Sequence, residues 1–523
     1  MILIFDALVT NWAALLAIVV ISYGAHHLLT ARRKHYPPGP AASLLIGNLM
    51  QMHGDHTEIL FKEWAAKFGD IVYIRILNRP MVILSDLQAT RDLLEKRSSI
   101  YSDRPRFVLF SELMGWHSAS THVRYGPRFR KHRRFIQQIF NQRAAMAFHP
   151  LQERETLVLL ENLIQDPDAF TKHFKRFAAS TIFSITYGHS ITSLDDTFLK
   201  LVEDATALTV ASGSPAATIV DFFPALRHIP TWAPFAGFKR QAIETRKAVD
   251  KMMNVPFDMV KKEMRAGSQV RPCFTSTLLE MHCEPNKGGG GSGSEDEQDI
   301  KGAAGTLYAA AEDTTVAVMQ TFLLAMTWHP DVFAKAQEEV DTLLGGGAGV
   351  AARLPTLEDR GALPYLECVL KEVLRWNPPV PLGMPHRVME DDVYRGYHIP
   401  MGTTVVANIF AILHSCDQPD VFRPERHEAV SPLPDPREVV FGFGRRICPG
   451  RHFAESSVWC MMANIVATLI VSRTAEDSET SGVPELKVTP GFVRHPKPFA
   501  CTIRPRSPAF AALIQEAKLH QEI

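Results

Sequence analysis

The stretch FGFGRRICPG, residues 441–450, decides how this chain is read. Cys448 follows two arginines and stands among Gly442, Gly444 and Gly450, residues that weaken a helix or a strand alike. If Arg446 to Cys448 is extended, the two side chains emerge on the same side. A sulfur and a guanidinium would then reach one flat ligand, the arginine meeting an acid carried on it. Gly442 and Gly444 would let the backbone pass close beneath. From Pro449 onward, GRHFAESSVWCMMANIVATL keeps apolar residues at helical spacing. That places Cys448 at a helix N-terminus, where free N–H groups and the dipole stabilise a thiolate. No histidine or second cysteine stands at ligand spacing. A single protein thiolate fits an iron whose other positions come from a porphyrin and from a gas or water.

The rest of the composition is that of a globular chain. Of 523 residues, 46% are hydrophobic, and Lys+Arg 56 balance Asp+Glu 56, so no global field draws the chain to nucleic acid. Its seven cysteines form an odd set without a C-x-x-C pair, which argues against a disulfide framework and against zinc. The six other than Cys448 read as small buried hydrophobes. Near the N-terminus, NWAALLAIVVISYGAHHLLTARRKHYPPGP (11–40) holds a nearly uncharged run from Trp12 to Leu29, followed by Arg32, Arg33 and Lys34. This predicts a single membrane anchor with its C-terminal side in the cytosol. Asp6 stands where a signal peptide would be basic, and no A-x-A site follows. The expected division is an anchor over 1–31, a basic and proline-rich hinge over 32–48, and one large unit over 49–523.

Within that unit, EPNKGGGGSGSEDEQD (284–299) reads as a flexible loop, and GGGAG (345–349) lacks the Gly-Lys-Ser/Thr of a phosphate cradle. DVFAKAQEEVDTLL (331–344) and LPYLECVLKEVLRW (363–376) have helical spacing, whereas the β-like runs DIVYIRI (70–76), MVILS (81–85) and TTVVANI (403–409) are short and few. The fold class expected is mainly α with small β-sheets.

Three further constellations bear chemistry. Ser294 and Glu297 have capping-box spacing, and apolar residues continue to Trp328, where His329-Pro330 stops them. The spacing predicts a helix of about 30 residues, about 45 Å long. In its middle, AAAEDTT (309–315) puts Asp313, Thr314 and Thr315 into an apolar run, which is costly without partners. Thr314 can return its hydroxyl to the Ala310 carbonyl, loosening the helix beside a small ligand; a satisfied core threonine beside an exposed acid is the plain alternative. In KEVLRWNPPVPLG (371–383), Glu372 and Arg375 share one helical face, and Arg426 of FRPER (422–426) offers a third partner. A buried Glu between two arginines fixes the fold around it. YGPRFRKHRRFIQQIF (125–140) carries Arg128, Arg130, Lys131, Arg133 and Arg134, a face for an acidic partner or cofactor group unless it is simply solvated.

These residues resemble the haem-thiolate monooxygenases of the cytochrome P450 superfamily. The pattern F-x-x-G-x-R-x-C-x-G is met by Phe441, Gly444, Arg446, Cys448 and Gly450, and E-x-x-R by Glu372 and Arg375. P-E-R is met by Pro424, Glu425 and Arg426, and A-G-x-D-T by Ala310, Ala311, Glu312, Asp313 and Thr314. PPGP followed by IGN looks like the microsomal members, and the motifs run in family order over residues 37–450. The resemblance implies one helical fold around haem b (iron protoporphyrin IX), with Cys448 as axial thiolate. It implies that Arg133, His386 and Arg446 pair with the propionates, and that Asp313 and Thr314 deliver protons. NADPH would supply electrons through NADPH–cytochrome P450 reductase, docked partly on the basic helix, with cytochrome b5 as a further partner. The implied location is the endoplasmic reticulum membrane.

The implied activity is insertion of one atom of O2 into a lipophilic small molecule. DDVYRGYHIPMGT (391–403) looks most like fungal enzymes of secondary metabolism, such as terpenoid oxidation. Substrate contacts are expected from FVLFSELMGW (107–116), Leu307, Ala311, VPLGM (380–384) and Phe492-Val493. Two other readings are a haem-thiolate isomerase or dehydratase that uses no O2, and a non-catalytic haem-binding protein. The first of these has no need of Asp313-Thr314. Phe129 stands where the family usually has Trp, removing one N–H donor to the haem; His427 replaces an aromatic residue, and Ala311 a glycine.

Overall fold

Helical periodicity dominates the chain, and eleven helices of twelve residues or more stand among the described residues. The computed structural model describes residue 22 and residues 35–52, 54–213, 218–267, 271–283, 293–345, 353–428, 433–474 and 484–522. The helices are α1 (Thr57–Phe68), α2 (Pro127–Phe140), α3 (His149–Gln165), α4 (Phe170–Tyr187), α5 (Thr197–Val210) and α6 (Gly237–Arg265). They continue with α7 (Gly293–Trp328), α8 (Pro330–Leu344), α9 (Pro364–Trp376), α10 (Arg451–Thr468) and α11 (Pro508–Glu522). Proline sets several of the boundaries. It occupies the first turn of α2, α3, α8 and α9, where its missing N–H has no partner to lose. Pro378 and Pro379 lie just past the end of α9 and cannot prolong it.

At 36 residues, α7 is longer than expected, about 54 Å end to end. It packs on α2, α4, α6, α9 and α10. Its Met319, Phe322, Leu323 and Met326 meet Phe174 and Phe177 of α4 and Trp459, Met462 and Val466 of α10 in the largest apolar cluster. Burying each large side chain there contributes about 1.5–3 kcal/mol. The loop read over 284–299 is therefore too long in the sequence analysis, because 293–299 are the first turns of α7. Ion pairs account for this: Asp296 and Asp299 meet Lys131 of α2, which anchors an otherwise polar helical start.

The three β-like runs form one sheet. β1 (Ile71–Ile76) and β2 (Arg79–Leu84) make an antiparallel hairpin, with Ile71 opposite Leu84. β3 (His386–Arg387), the short pairs β4 (Asp392–Tyr394) with β5 (Tyr397–Ile399), and β6 (Thr404–Ala407) follow. β6 runs parallel to β2 and antiparallel to β3, giving the order β1-β2-β6-β3. All of β6 is buried, and its Val405 is the partner of His386, so the sheet edge carries that histidine inward. A last pair, β7 (Leu469–Ser472) with β8 (Thr502–Pro505), ties the C-terminal segment to the end of α10.

The hinge is docked as well as stiff: the Pro38 carbonyl accepts from Tyr73 N–H at 2.9 Å. The expected anchor over 1–31 lies outside the described residues, Ser22 apart. Among the described residues no helix is long and apolar enough to cross a membrane.

Candidate functional site

Cys448 borders a cavity of about 330 Å³ between α7, α10, β3 and the loop 441–450. The loop is closed by Cys448 N–H donating to the Phe441 carbonyl at 2.8 Å. It differs from the extended form expected. Gly444–Arg446 is a 310 turn, and α10 begins at Arg451 with Gly450 as its N-cap, two residues beyond the cysteine. The sulfur still receives the helix-start donor, because Gly450 supplies a backbone hydrogen bond to it. Burial pushes the thiol up, while that N–H and the charges of Arg133 and Arg451 pull it down. A group bound at the sulfur that favours thiolate would meet donors already in place.

Phe441, Gly442 and Gly450 line the cavity, but Gly444 does not. Gly444 has φ +59°, and a Cβ there would lie 1.9 Å from the Leu94 carbonyl oxygen. Its role is to let the loop dock on the turn of π-helix at Asp92–Lys96, and the cofactor contact expected for it is corrected accordingly. Gly442, at φ +74°, has open space around its Cα.

Four cationic or basic side chains share the cavity wall with the sulfur: Arg104, Arg133, His386 and Arg446. Arg446 donates to the carbonyls of Ser102 (2.8 Å), Ser120 (3.3 Å) and Val123 (2.8 Å), and its guanidinium lies 3.6 Å over the Phe129 ring. The phenylalanine in place of Trp thus becomes a cation–π platform. Arg133 points inward from α2 to the Ile447 carbonyl. His386 Nδ1 donates to the Tyr101 carbonyl at 2.7 Å. Arg104, which the sequence reading missed, donates to the carbonyls of Met384 and Pro385 at 2.8 Å and of Thr121 at 3.2 Å.

Burial, followed by mutual repulsion, pulls Arg446 down to about 8, and burial pulls Arg104 down to about 9. Burial and the field of Arg104 hold His386 at about 3. Among the described residues the acid on this wall is Glu455, which is already committed to Arg360 and Arg437. Buried cations without an anion are costly. The wall therefore fits a ligand that brings its own carboxylates and accepts a thiolate, and haem b is such a ligand.

Across the cavity, α7 presents Leu307, Ala310, Ala311, Thr314 and Thr315. The Thr314 hydroxyl donates to the Ala310 carbonyl at 3.0 Å, as expected, and α7 stays helical throughout despite Ala311 standing for glycine. Asp313 does not border the cavity; its Oδ1 lies 3.0 Å from His495 Nε2. Val380, Leu382, Gly383, Met384 and Phe492 also line the wall. FVLFSELMGW does not: Val108, Leu109 and Phe110 are buried in the apolar cluster that Leu307 and Phe453 of the wall share with Met252 and Phe257 of α6. That substrate expectation is corrected.

Glu372 sits away from the cavity and is fully buried. Arg375 donates to both of its oxygens at 2.7 and 2.8 Å, Arg426 to Oε1 at 3.0 Å, and Arg423 N–H to Oε1 at 2.8 Å. His427 Nε2 stands 2.9 Å from Oε2, so the residue replacing an aromatic adds a third side-chain partner. Burial raises this carboxyl, but the hydrogen bonds from His427 and Arg375 outweigh it and hold Glu372 at about 2.

On the basic helix, Arg128 and Lys131 are spent on Asp299. Arg130 and Arg134 are left exposed.

The family profile described as Cytochrome P450 matches residues 37–503. Cytochrome P450 monooxygenase 176 of Postia placenta is 41% identical over 495 residues, covering 93% of each chain. A cytochrome P450 monooxygenase of Armillaria gallica is 39% identical over 487 residues, 92% of this chain and 94% of its own. Cytochrome P450 monooxygenase claR of Ampulloclitocybe clavipes is 37% identical over 492 residues, 92% and 89% respectively.

Proposed function

This chain belongs to the cytochrome P450 family and is a haem-dependent monooxygenase, and from that premise we propose that it oxidises a lipophilic small molecule of fungal secondary metabolism, a terpenoid being the favoured class. Its electrons come from NADPH through a membrane-bound flavoprotein reductase, with cytochrome b5 as a further donor. The segment over 12–29 tethers it to the endoplasmic reticulum, and the catalytic unit faces the cytosol.

Haem b held by a cysteine thiolate supplies O–O cleavage and the oxidising power. The protein supplies the rest. Cys448 would hold the haem iron through its sulfur; burial raises the thiol on balance, and Gly450 N–H, Arg133 and Arg451 favour the thiolate against it. Arg104, Arg133, Arg446 and His386, which share the cavity wall, would hold the two carboxylates, and Phe441, Gly442 and Gly450 would form the bed beside the sulfur. Thr314, on the opposite wall, presents a hydroxyl that passes protons from Asp313. Leu307, Ala311, Val380, Leu382 and Phe492 exclude water and orient an apolar substrate. Glu372, Arg375 and Arg426 act away from the chemistry by fixing the fold behind the cysteine loop.

The observation that carries this reading is that one cavity joins Cys448, three arginines that pair with no acid among the described residues, and the Thr314 hydroxyl. An isomerase or dehydratase would leave that hydroxyl without a purpose. Thr314→Ala in the reductase-reconstituted enzyme should divert NADPH consumption to hydrogen peroxide, several-fold above wild type. An unchanged peroxide yield would count against the oxygen-activating reading.

A further inference from the structure

The partner of Asp313 comes from 182 positions away in sequence. His495 belongs to the C-terminal loop, and that loop is fixed on both sides of it. Its backbone exchanges hydrogen bonds with Thr489, N–H to Oγ1 at 3.3 Å and carbonyl from N–H at 2.8 Å, while Arg494 N–H donates to the Pro379 carbonyl at 2.9 Å. The ring spans two turns of α7. Nε2 meets Asp313 Oδ1 at 3.0 Å, and Nδ1 meets Gln320 Oε1 at 2.9 Å. Gln320 Nε2 in turn donates to Thr171 Oγ1 of α4 at 3.0 Å, which leaves Oε1 as the acceptor facing the ring.

In that orientation of the Gln320 amide the proton count follows from the partners. Nδ1 carries a hydrogen because its partner can only accept. Nε2 faces a carboxylate oxygen, so a second proton lies between ring and carboxyl: imidazolium with carboxylate, or imidazole with carboxylic acid. The side chains are 21% and 27% exposed, so solvent can recharge the pair.

Resting on the proposed role of Asp313 and Thr314, we propose that His495 is the proton-supplying positioning residue of this enzyme: it holds the proton that Asp313 passes to the Thr314 hydroxyl. The Nε2–H bond breaks as Asp313 Oδ1 gains the proton; the carboxyl then gives it to the Thr314 oxygen as the hydroxyl releases its own proton into the cavity, and His495 is reprotonated from bulk water. The reductant remains NADPH and the oxidant O2, as in the proposed reaction, which consumes two protons and two electrons for each oxygen atom inserted.

Other charged groups face Asp313. Glu312 is beside it on α7, and Lys175 approaches from α4 with Glu203 of α5 beyond. Glu312 is buried, and desolvation followed by Asp313 pushes it up to about 7, so it can hold a proton beside the pair. Glu312→Gln is therefore part of the test. Among the described residues Asp313 is the ion-pair partner found for His495.

Two measurements on the holoenzyme test the proposal. In histidine-selective NMR, assigned with His495→Gln, the His495 ring resonances should shift on Asp313→Asn, because the two side chains are in direct contact. No movement on Asp313→Asn overturns the proposal. In the second, the enzyme reconstituted with reductase and given lauric acid as an apolar probe is followed for the fraction of NADPH recovered as hydrogen peroxide. That fraction should be low in wild type, several-fold higher in His495→Gln, and unchanged by Glu312→Gln. A His495→Gln fraction equal to that of wild type, or a rise with Glu312→Gln alone, overturns it. If Thr314→Ala releases no extra peroxide while the NMR coupling holds, the reading of Thr314 fails and the Asp313–His495 pair stands apart from it.

Discussion

Arg104→Met asks whether the cations on the cavity wall exist to meet an anion. Burial takes this guanidinium from 12.5 to about 9. At about 1.4 kcal/mol per pH unit, the haem-free fold carries about 5 kcal/mol of unfavourable charge burial at this residue. The sign follows from a basic group lowered on folding: the penalty is full below about pH 9 and is relieved as pH rises toward the unfolded value. Methionine removes that penalty but strands the carbonyls of Thr121, Met384 and Pro385, at about 1 kcal/mol each. The two effects largely offset each other in the haem-free protein, whose melting temperature should shift by no more than a few degrees.

With haem bound the offset disappears, because a charge-assisted hydrogen bond to a carboxylate is lost, worth about 1.5–3 kcal/mol. Transfer of haem to excess apomyoglobin should accelerate about 10- to 100-fold. An unchanged transfer rate in a folded variant would refute the assignment of Arg104 to the carboxylates.

Glu372→Gln leaves Arg375 and Arg426 buried without an anion and should cost about 3–5 kcal/mol in denaturant unfolding; a loss under about 1 kcal/mol would contradict the burial found here. Because Glu372 is held at about 2, its stabilisation is fully present above about pH 4.5 and is lost as pH falls toward 2, so wild type should be steeper than the variant in that window during acid unfolding. Gly444→Ala puts a Cβ against the Leu94 carbonyl at a positive φ and should cost at least about 2 kcal/mol, whereas Gly442→Ala, with open space, should cost about 1 kcal/mol in the same thermal unfolding assay.

What the sequence made legible was local. Apolar spacing gave α7, α8, α9 and α10, and the β-like runs gave β1, β2 and β6, because periods of 3.6 and 2 reflect burial on one face. Thr314 bonding back to Ala310 was likewise a four-residue relation. Cys448 was legible as a candidate ligand through its chemistry, yet the backbone around it was not, since a 310 turn and a positive φ depend on the distant Leu94 carbonyl. Arg104 and His495 were missed for the same reason. Each lies in an unremarkable stretch and gains meaning through partners far away in sequence, Met384 for one and Asp313 for the other. FVLFSELMGW was misplaced because apolar content alone does not separate a cavity wall from a core.

Ligation by the Cys448 sulfur is tested most directly by the absorption spectrum of the reduced protein under carbon monoxide. The wild type should show the red-shifted Soret band that an axial thiolate produces, and Cys448→Ser should abolish it. A wild type without that band, or a serine variant that keeps it, would contradict the account.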